Sequence, residues 1–304
     1  MAPNKTSVFG KIRTFGIAAP AGPCSREQVN AGLQMLHSCG IQTVAGQNLF
    51  RKNSYSYLSA DDDDRADDFN RLLADERIDA ILCTRGGYGT PRLLNRINYD
   101  LLRERNLPVI GFSDITALHL AMCSRNAGIC IASQMTARLP DAMQDRTTRA
   151  GMKRVYASLQ NANGEFRNAG KRLNQLSGDP SEIIGNVLPL NMTLASALCG
   201  TDFMPSMENN VIILEEIGEP VRKIDRMFHQ LLYAGFFRGA AAVAFGQFTD
   251  CDPGKELKKL FREIAQTLPC PVFSGMAYGH ELPSLSFRFG EPCRILDGHF
   301  QVRF

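Results

Sequence analysis

Across its first 132 residues the chain alternates apolar runs with amphipathic ones at the spacing of βα units, and this rhythm restricts the fold more than any other feature. Strands are expected at 12–19, 41–45, 78–84, 108–112 and 129–132, with helices at 26–38, 64–75 and 114–126. Apolar strands separated by amphipathic helices specify a mostly parallel sheet covered on both faces. Ligands on such sheets gather at the carboxyl ends of the strands.

From about 140 to 180 the chain turns polar (QDRTTR, NANGEFRNAGKR, SGDP) and holds one expected helix, 147–160. This composition marks a linker, dividing the chain into an N-terminal α/β domain (1–145), a linker (146–179) and a C-terminal domain (180–304). After the small and apolar segment GNVLPLNMTLASALCG, strands are expected at 210–216, 240–247 and 271–275, and helices at 222–234 and 254–268. A terminal hairpin turns at Asp297-Gly298.

With 34 basic and 31 acidic residues the net charge is +3, and no basic block points to nucleic acid or an anionic membrane. The N-terminal segment lacks the apolar core of an export signal, so a cytoplasmic, soluble protein is expected. Nine cysteines are scattered singly with no CxxC pair, and they read as reduced, mostly buried small residues. Neither HExxH nor a comparable ligand set is present, so no metal is implied. The run Asp61–Asp64 suits either a cation or the positive end of a helix dipole, and its place at a helix start favours the dipole.

Ser113, in LPVIGFSDITALH, stands where a strand gives way to a helix with almost no loop. Such a turn holds a hydroxyl out of the sheet beside helix N–H donors, as hydrolases present a nucleophile; a plain N-cap is the competing assignment, since the Gly-x-Ser-x-Gly pattern is absent. A serine nucleophile needs a base, normally histidine, itself oriented by a carboxylate. Of five histidines, His37, His119 and His229 fall within helices and His299 in the hairpin turn. His280 follows Gly279 in a loop after a strand, which makes it the candidate base. The strand NVIILEE ends in Glu215 and Glu216, whose carboxylates alternate to opposite faces, so one at most serves a given site. In Thr84-Arg-Gly-Gly-Tyr-Gly-Thr90 the glycines allow backbone N–H groups to converge on an anion, either as an oxyanion hole or as a phosphate cradle, or they make only a tight turn. Arg85 is a candidate for holding a substrate carboxylate or for a structural ion pair.

Taken in order, Ala-Pro-Ala-Gly at 19–22, DDRADDFNRLLAD, CTRGGYGTPRLL, IGFSDITALH, IILEEIGEPVRKIDRMFHQLL, AVAFGQF and the late Gly279-His280 resemble the LD-carboxypeptidase family over nearly the whole chain. These are muramoyltetrapeptide carboxypeptidases, with microcin-C immunity peptidases among them. The resemblance implies a flavodoxin-like N-terminal domain and a smaller, strand-rich α/β C-terminal domain. It also implies Ser113 as nucleophile, His280 as base, Glu215 as the orienting carboxylate, and an oxyanion hole from the backbone N–H groups of Gly87 and Asp114. Arg85 becomes the candidate for the substrate's terminal carboxylate. The implied reaction, without cofactor or metal, releases D-alanine from murein tetrapeptides at an L-centre diamino acid during peptidoglycan recycling, and a homodimer is expected. Ala132-Ser-Gln-Met135 departs from the family's usual His-Gly-Pro-Met, which bears on the pocket's shape. Two further expectations stand beside this one. An immunity-type peptidase would cleave acyl-sulfamoyl nucleotide conjugates, although that branch tends to stack the nucleobase on an aromatic, often Trp, and the chain has no Trp. A non-catalytic nucleotide- or phosphate-binding α/β module would use RGGYG as a cradle and Ser113 as a cap.

Overall fold

The computed structural model describes residues 8–51, 53–159, 164–179 and 181–303. The expected absence of an export signal rests partly on residues 1–7, and the polar stretch partly on 160–163 and 180, all outside the described residues. In chain order the first half contains β1 (Thr14–Ala18), α1 (Arg26–Ser38), β2 (Gln42–Ala45), α2 (Asp62–Ala74), β3 (Ala80–Cys83), α3 (Tyr99–Arg105), β4 (Pro108–Gly111), α4 (Thr116–Ser124), β5 (Ile129–Ala132), α5 (Leu139–Gln144) and α6 (Arg146–Ser158). There follow β6 (Phe166–Asn168), β7 (Asn174–Ser177), β8 (Ile183–Asn191), α7 (Met192–Leu198), β9 (Asn210–Ile217), α8 (Val221–Tyr233), β10 (Ala242–Thr249), α9 (Gly254–Thr267), β11 (Val272–Ser274), β12 (Phe287–Arg288), β13 (Pro292–Leu296) and β14 (His299–Arg303).

Two sheets result. The first runs β12-β5-β4-β3-β1-β2, parallel except for the edge strand β12, and its β2-β1-β3-β4-β5 portion has the flavodoxin-like order. The second runs β6-β14-β13-β8-β9-β10-β11-β7, with β8 through β11 parallel and antiparallel strands on either side. β3 (AILC) and β4 (PVIG) are buried along their whole length, as strands covered on both faces must be. α8 instead buries one stripe, Val221, Ile224, Phe228 and Leu231, at the three- and four-residue steps of a single helix face.

The polar stretch 146–179 is not a free linker. α6 lays Met152, Val155 and Tyr156 against Phe9 and Phe15 in the first core, while β6 and β7 extend the second sheet. Its polarity belongs to the outward face of an amphipathic helix and to edge strands, which local composition does not distinguish from a linker. β12, from the C-terminal part of the chain, joins the first sheet, and one apolar cluster contains residues of both halves, such as Leu118, Leu190, Ile212 and Phe245. Arg154 of α6 also meets Glu291 at 2.8 Å, with the carboxylate fully buried. The expected strand 240–247 begins and ends two residues later, and the helix at 114–126 starts as a 3-10 turn over Ser113–Ile115. β8 and α7 occupy the segment read only as small and apolar.

The acidic run at the start of α2 pairs with arginines: Asp62 with Arg65 and Arg92, Asp63 with Arg96, and Asp64 with Arg51. Among the described residues no helix is long and apolar enough to cross a membrane.

Candidate active site

Both sheets direct the carboxyl ends of their parallel strands to the same region. From the first sheet come the glycine-rich turn after β3 and Ser113 after β4; from the second come Asn191 at the end of β8, Glu215 in β9, Gln247 in β10 and the loop carrying His280 after β11.

The strand-to-helix turn fixes Ser113. Phe112 is extended, and Ser113 then adopts φ +61°, a left-handed conformation that costs a non-glycine residue about 1–3 kcal/mol and persists only where the surroundings enforce it. Phe112 and Ile115, not Ser113, occupy the N-cap positions of the 3-10 turn and of α4, and among the described residues no hydrogen bond involves the Ser113 hydroxyl, so the N-cap assignment does not hold. Tight packing supplies the constraint: a Cβ added at Gly86 would lie 2.9 Å from both Cβ and Oγ of Ser113. Only a glycine lets the turn after β3 come this near.

That turn is fastened to the serine turn by Asp114. The Asp114 carboxylate is buried and accepts the backbone N–H of Thr90 at 2.8 Å, while burial pushes its carboxyl above the usual range. Gly22 N–H donates to the Gly86 carbonyl at 3.1 Å, holding the turn from the other side. Gly87 has φ +109°, which suits glycine, and among the described residues its N–H has no acceptor. The Asp114 N–H lies in the first turn of a helix, where backbone donors lack intrahelical partners. Arg85 is exposed, and its Nη1 donates to the Pro23 carbonyl at 3.2 Å.

On the facing side, His280 Nδ1 and Glu215 Oε2 are 2.8 Å apart; the carboxylate is fully buried and the imidazole 17% exposed. With Nδ1–H donating to the carboxylate, Nε2 is left as the accepting nitrogen. The His280 ring packs on Phe112, centroids 5.0 Å apart, beside Ser113 in the chain. Among the described residues no hydrogen bond joins Ser113 Oγ to the imidazole, so the structure makes the carboxylate–imidazole link directly and the imidazole–serine approach through Phe112. Gln247 clamps the His280 loop, accepting Glu281 N–H at 2.8 Å and donating to the Pro283 carbonyl at 3.0 Å. The β9–β10 register shifts between Phe245 and Phe248, a bulge at Gln247's position that re-aims a side chain beside a site.

The second carboxylate of the pair faces elsewhere. Glu216 accepts Thr193 N–H and hydroxyl at 2.8 and 2.7 Å and its neighbour Ile217 N–H at 2.9 Å, and burial raises its carboxyl above the usual range. Cys83, in β3, is fully buried and its thiol is likewise pushed up by burial, the setting of a core cysteine rather than of an exposed, electropositive nucleophile.

The sequence pattern of the LD-carboxypeptidase N-terminal domain matches residues 15–133, and that of the C-terminal domain matches 184–295. The chain belongs to the LD-carboxypeptidase family. The murein tetrapeptide carboxypeptidase of Pseudomonas aeruginosa is 26% identical over 297 residues, covering 93% of this chain and 92% of its own. The crystal structure of muramoyltetrapeptide carboxypeptidase from Oxalobacter formigenes superposes with a TM-score of 0.81 at 19% identity, covering 95% of this chain and 97% of that one. MccF in complex with glutamyl sulfamoyl guanosine gives a TM-score of 0.83 at 17% identity over 96% of each chain. At these identities the two structures establish the shared fold.

In this LD-carboxypeptidase Asn191, like Gln247, is a positioning residue that no sequence motif marks. Its side-chain amide donates to Glu215 Oε1 at 3.1 Å and to Glu216 Oε1 at 3.2 Å, its backbone N–H donates to the Thr116 hydroxyl at 3.3 Å, and its Oδ1 accepts Leu194 N–H at 3.2 Å. It therefore joins the carboxylate pair to the helix that follows Ser113. The only local sign is an Asn ending an apolar run before a helix, which reads as an N-cap.

Proposed function

We propose that this enzyme is a serine LD-carboxypeptidase releasing D-alanine from murein tetrapeptides, with Ser113, His280 and Glu215 as its triad. The observation carrying this reading is the buried Glu215 carboxylate 2.8 Å from His280 Nδ1, in an imidazole packed against the neighbour of a left-handed serine. Family membership and the name of the Pseudomonas relative support the substrate class.

In this mechanism His280 Nε2 takes the Ser113 proton as Oγ attacks the carbonyl between the L-centre of the diamino acid and the terminal D-alanine. The Gly87 and Asp114 N–H groups receive the oxyanion, and Glu215 stabilises the imidazolium without taking its proton. His280 then protonates the departing amine, leaving an acyl-serine. Water, deprotonated by His280, attacks that ester and restores the hydroxyl. Arg85, with donors remaining beyond its bond to Pro23, takes the terminal carboxylate.

Purified protein incubated with a murein tetrapeptide should release D-alanine, and Ser113→Ala should abolish it. Undiminished turnover by that variant would remove the nucleophile assignment. A second reading, cleavage of aminoacyl-sulfamoyl nucleosides, is favoured by the MccF fold match, and parallel assay of such a conjugate decides between them.

A further inference from the structure

Arg65, in α2, takes no part in the reaction described above, yet it is buried and its guanidinium bonds the backbone carbonyls of three separate segments. Nε donates to Ala60 at 3.2 Å, and Nη1 donates to Pro20 and, at 3.0 Å, to Gly89. Nη2 meets the Asp62 carboxylate at 2.6 Å, which also pairs with Arg92 at 2.9 Å and supplies the opposite charge that a buried cation requires.

These contacts close a ring around the glycine-rich turn after β3. Two residues after Pro20, the Gly22 N–H holds the Gly86 carbonyl at 3.1 Å, and Gly89 ends the same turn. Between these anchors, among the described residues, neither Gly87 nor Tyr88 makes a backbone hydrogen bond. Gly87 and Gly89 have φ +109° and +126°, a region that glycine enters freely, so their own torsions do not hold the intervening peptides in one orientation. The direction of the Gly87 N–H is therefore set by where the ends of the turn are fixed. Tyr55, Tyr57 and Tyr88 cluster over the turn with ring centroids 5.3 and 5.4 Å apart, and the bond to Ala60 holds the segment that carries the first two.

The far anchor also reaches the second oxyanion donor. The Gly89 carbonyl and the Thr90 N–H belong to one peptide unit: Arg65 holds its carbonyl, and the Asp114 carboxylate accepts its N–H at 2.8 Å. We propose that Arg65 is the positioning residue of the oxyanion hole, setting the Gly87 N–H against that of Asp114, an inference that rests on the carboxypeptidase reading above. A planar guanidinium can span these carbonyls at fixed angles, whereas a lysine ammonium is a point charge on a flexible stem and holds fewer of them.

The test measures kcat and KM for D-alanine release from a murein tetrapeptide, thermal midpoint, and inhibition by a peptide boronate with boron in place of the scissile carbonyl. Boron takes Ser113 Oγ as its fourth ligand, the serine proton passes to His280, and the resulting tetrahedral anion faces the oxyanion donors. The variants are Arg65→Lys, Arg65→Met and Gly89→Ala, the last of which brings a methyl to 2.7 Å from Arg65 Nη1 and 2.6 Å from Leu58 Cδ2. Relative to the wild type, kcat should fall about tenfold in Arg65→Lys and Gly89→Ala and about 100-fold in Arg65→Met, with KM nearly constant. Boronate affinity should fall by the same factors as kcat/KM, since both depend on donors aimed at the transition state. A lowered thermal midpoint with kcat retained would make Arg65 purely structural and overturn the proposal. So would a rise in KM at unchanged kcat, or a loss of kcat without loss of boronate affinity. If Arg65→Met does not fold, Arg65→Lys and Gly89→Ala decide by the same criteria. Wild-type kcat in the variants would remove this inference alone, whereas absence of D-alanine release by the wild type would remove the carboxypeptidase reading with it.

Discussion

Asn191 and Glu215 are register partners in adjacent parallel strands, and the Asn191 amide donates to the Glu215 carboxylate at 3.1 Å. Because the same Asn191 donates its backbone N–H to Thr116, the carboxylate that orients His280 is tied to the helix behind Ser113. The two halves of the proposed triad are thus positioned through one side chain and its own strand.

Asn191→Ala should therefore lower kcat for D-alanine release by up to about 100-fold, the scale on which small misplacement of a reacting group acts. Glu215→Gln should lower it further, by about 10³–10⁴-fold, because a neutral amide neither fixes the Nδ1–H tautomer nor stabilises the imidazolium. Steady-state kinetics on the tetrapeptide check both, with KM nearly constant in each.

Gly86→Ala brings a methyl to 2.9 Å from Ser113 Cβ and Oγ. The expected result is a loss of about 100-fold or more in kcat and a destabilisation of about 1–3 kcal/mol. Denaturant unfolding beside the activity assay separates the two; unchanged turnover would show that the turn can yield without moving the serine.

His119 is fully buried between β4 and Phe289, with Nε2 3.0 Å from the Val109 carbonyl and Nδ1 unpartnered, and burial lowers its pKa from 6.5 to about 4. The folded-state value lies below the unfolded one, so its contribution is complete above pH 6.5 and is lost as pH falls toward 4. The integrated effect is about 3 kcal/mol. Urea midpoints of wild type and His119→Phe should converge or cross between pH 7 and 4, the wild type falling more steeply.

Arg154 and Glu291 form a nearly solvent-free pair, 9% and 0% exposed, between α6 and the C-terminal part of the chain. Arg154→Ala leaves a buried carboxylate unpaired and should cost about 3–5 kcal/mol, visible as a fall in thermal midpoint. Arg154→Met combined with Glu291→Leu should recover most of it, since the damage comes from the stranded charge.

Much of this was written locally. The alternation of apolar and amphipathic runs specified β1 through β5 and the helices α1, α2 and α4, though not the short α3, while the strand-to-helix turn singled out Ser113 and the Gly279-His280 loop the proposed base. The signals are local because periodicity and turn chemistry act over a few residues. Pairing Glu215 rather than Glu216 with His280 was not legible from alternation alone, which separates the two side chains without saying which face meets the histidine. Nor were α6's place in the first core or β12's in the first sheet, since both depend on contacts more than 100 residues distant in the chain.

The order of residues alone thus determined the parallel layer, the elements that carry the reactive groups and the chemical type of each group. Tertiary structure decided that two sheets face their strand ends into one site, that Asn191 joins both carboxylates to the serine helix, and that three tyrosines cluster beside the glycine-rich turn after β3. Hydrophobic periodicity is fixed by neighbouring residues, whereas these hydrogen bonds and ring contacts exist only after distant segments are brought within a few ångströms.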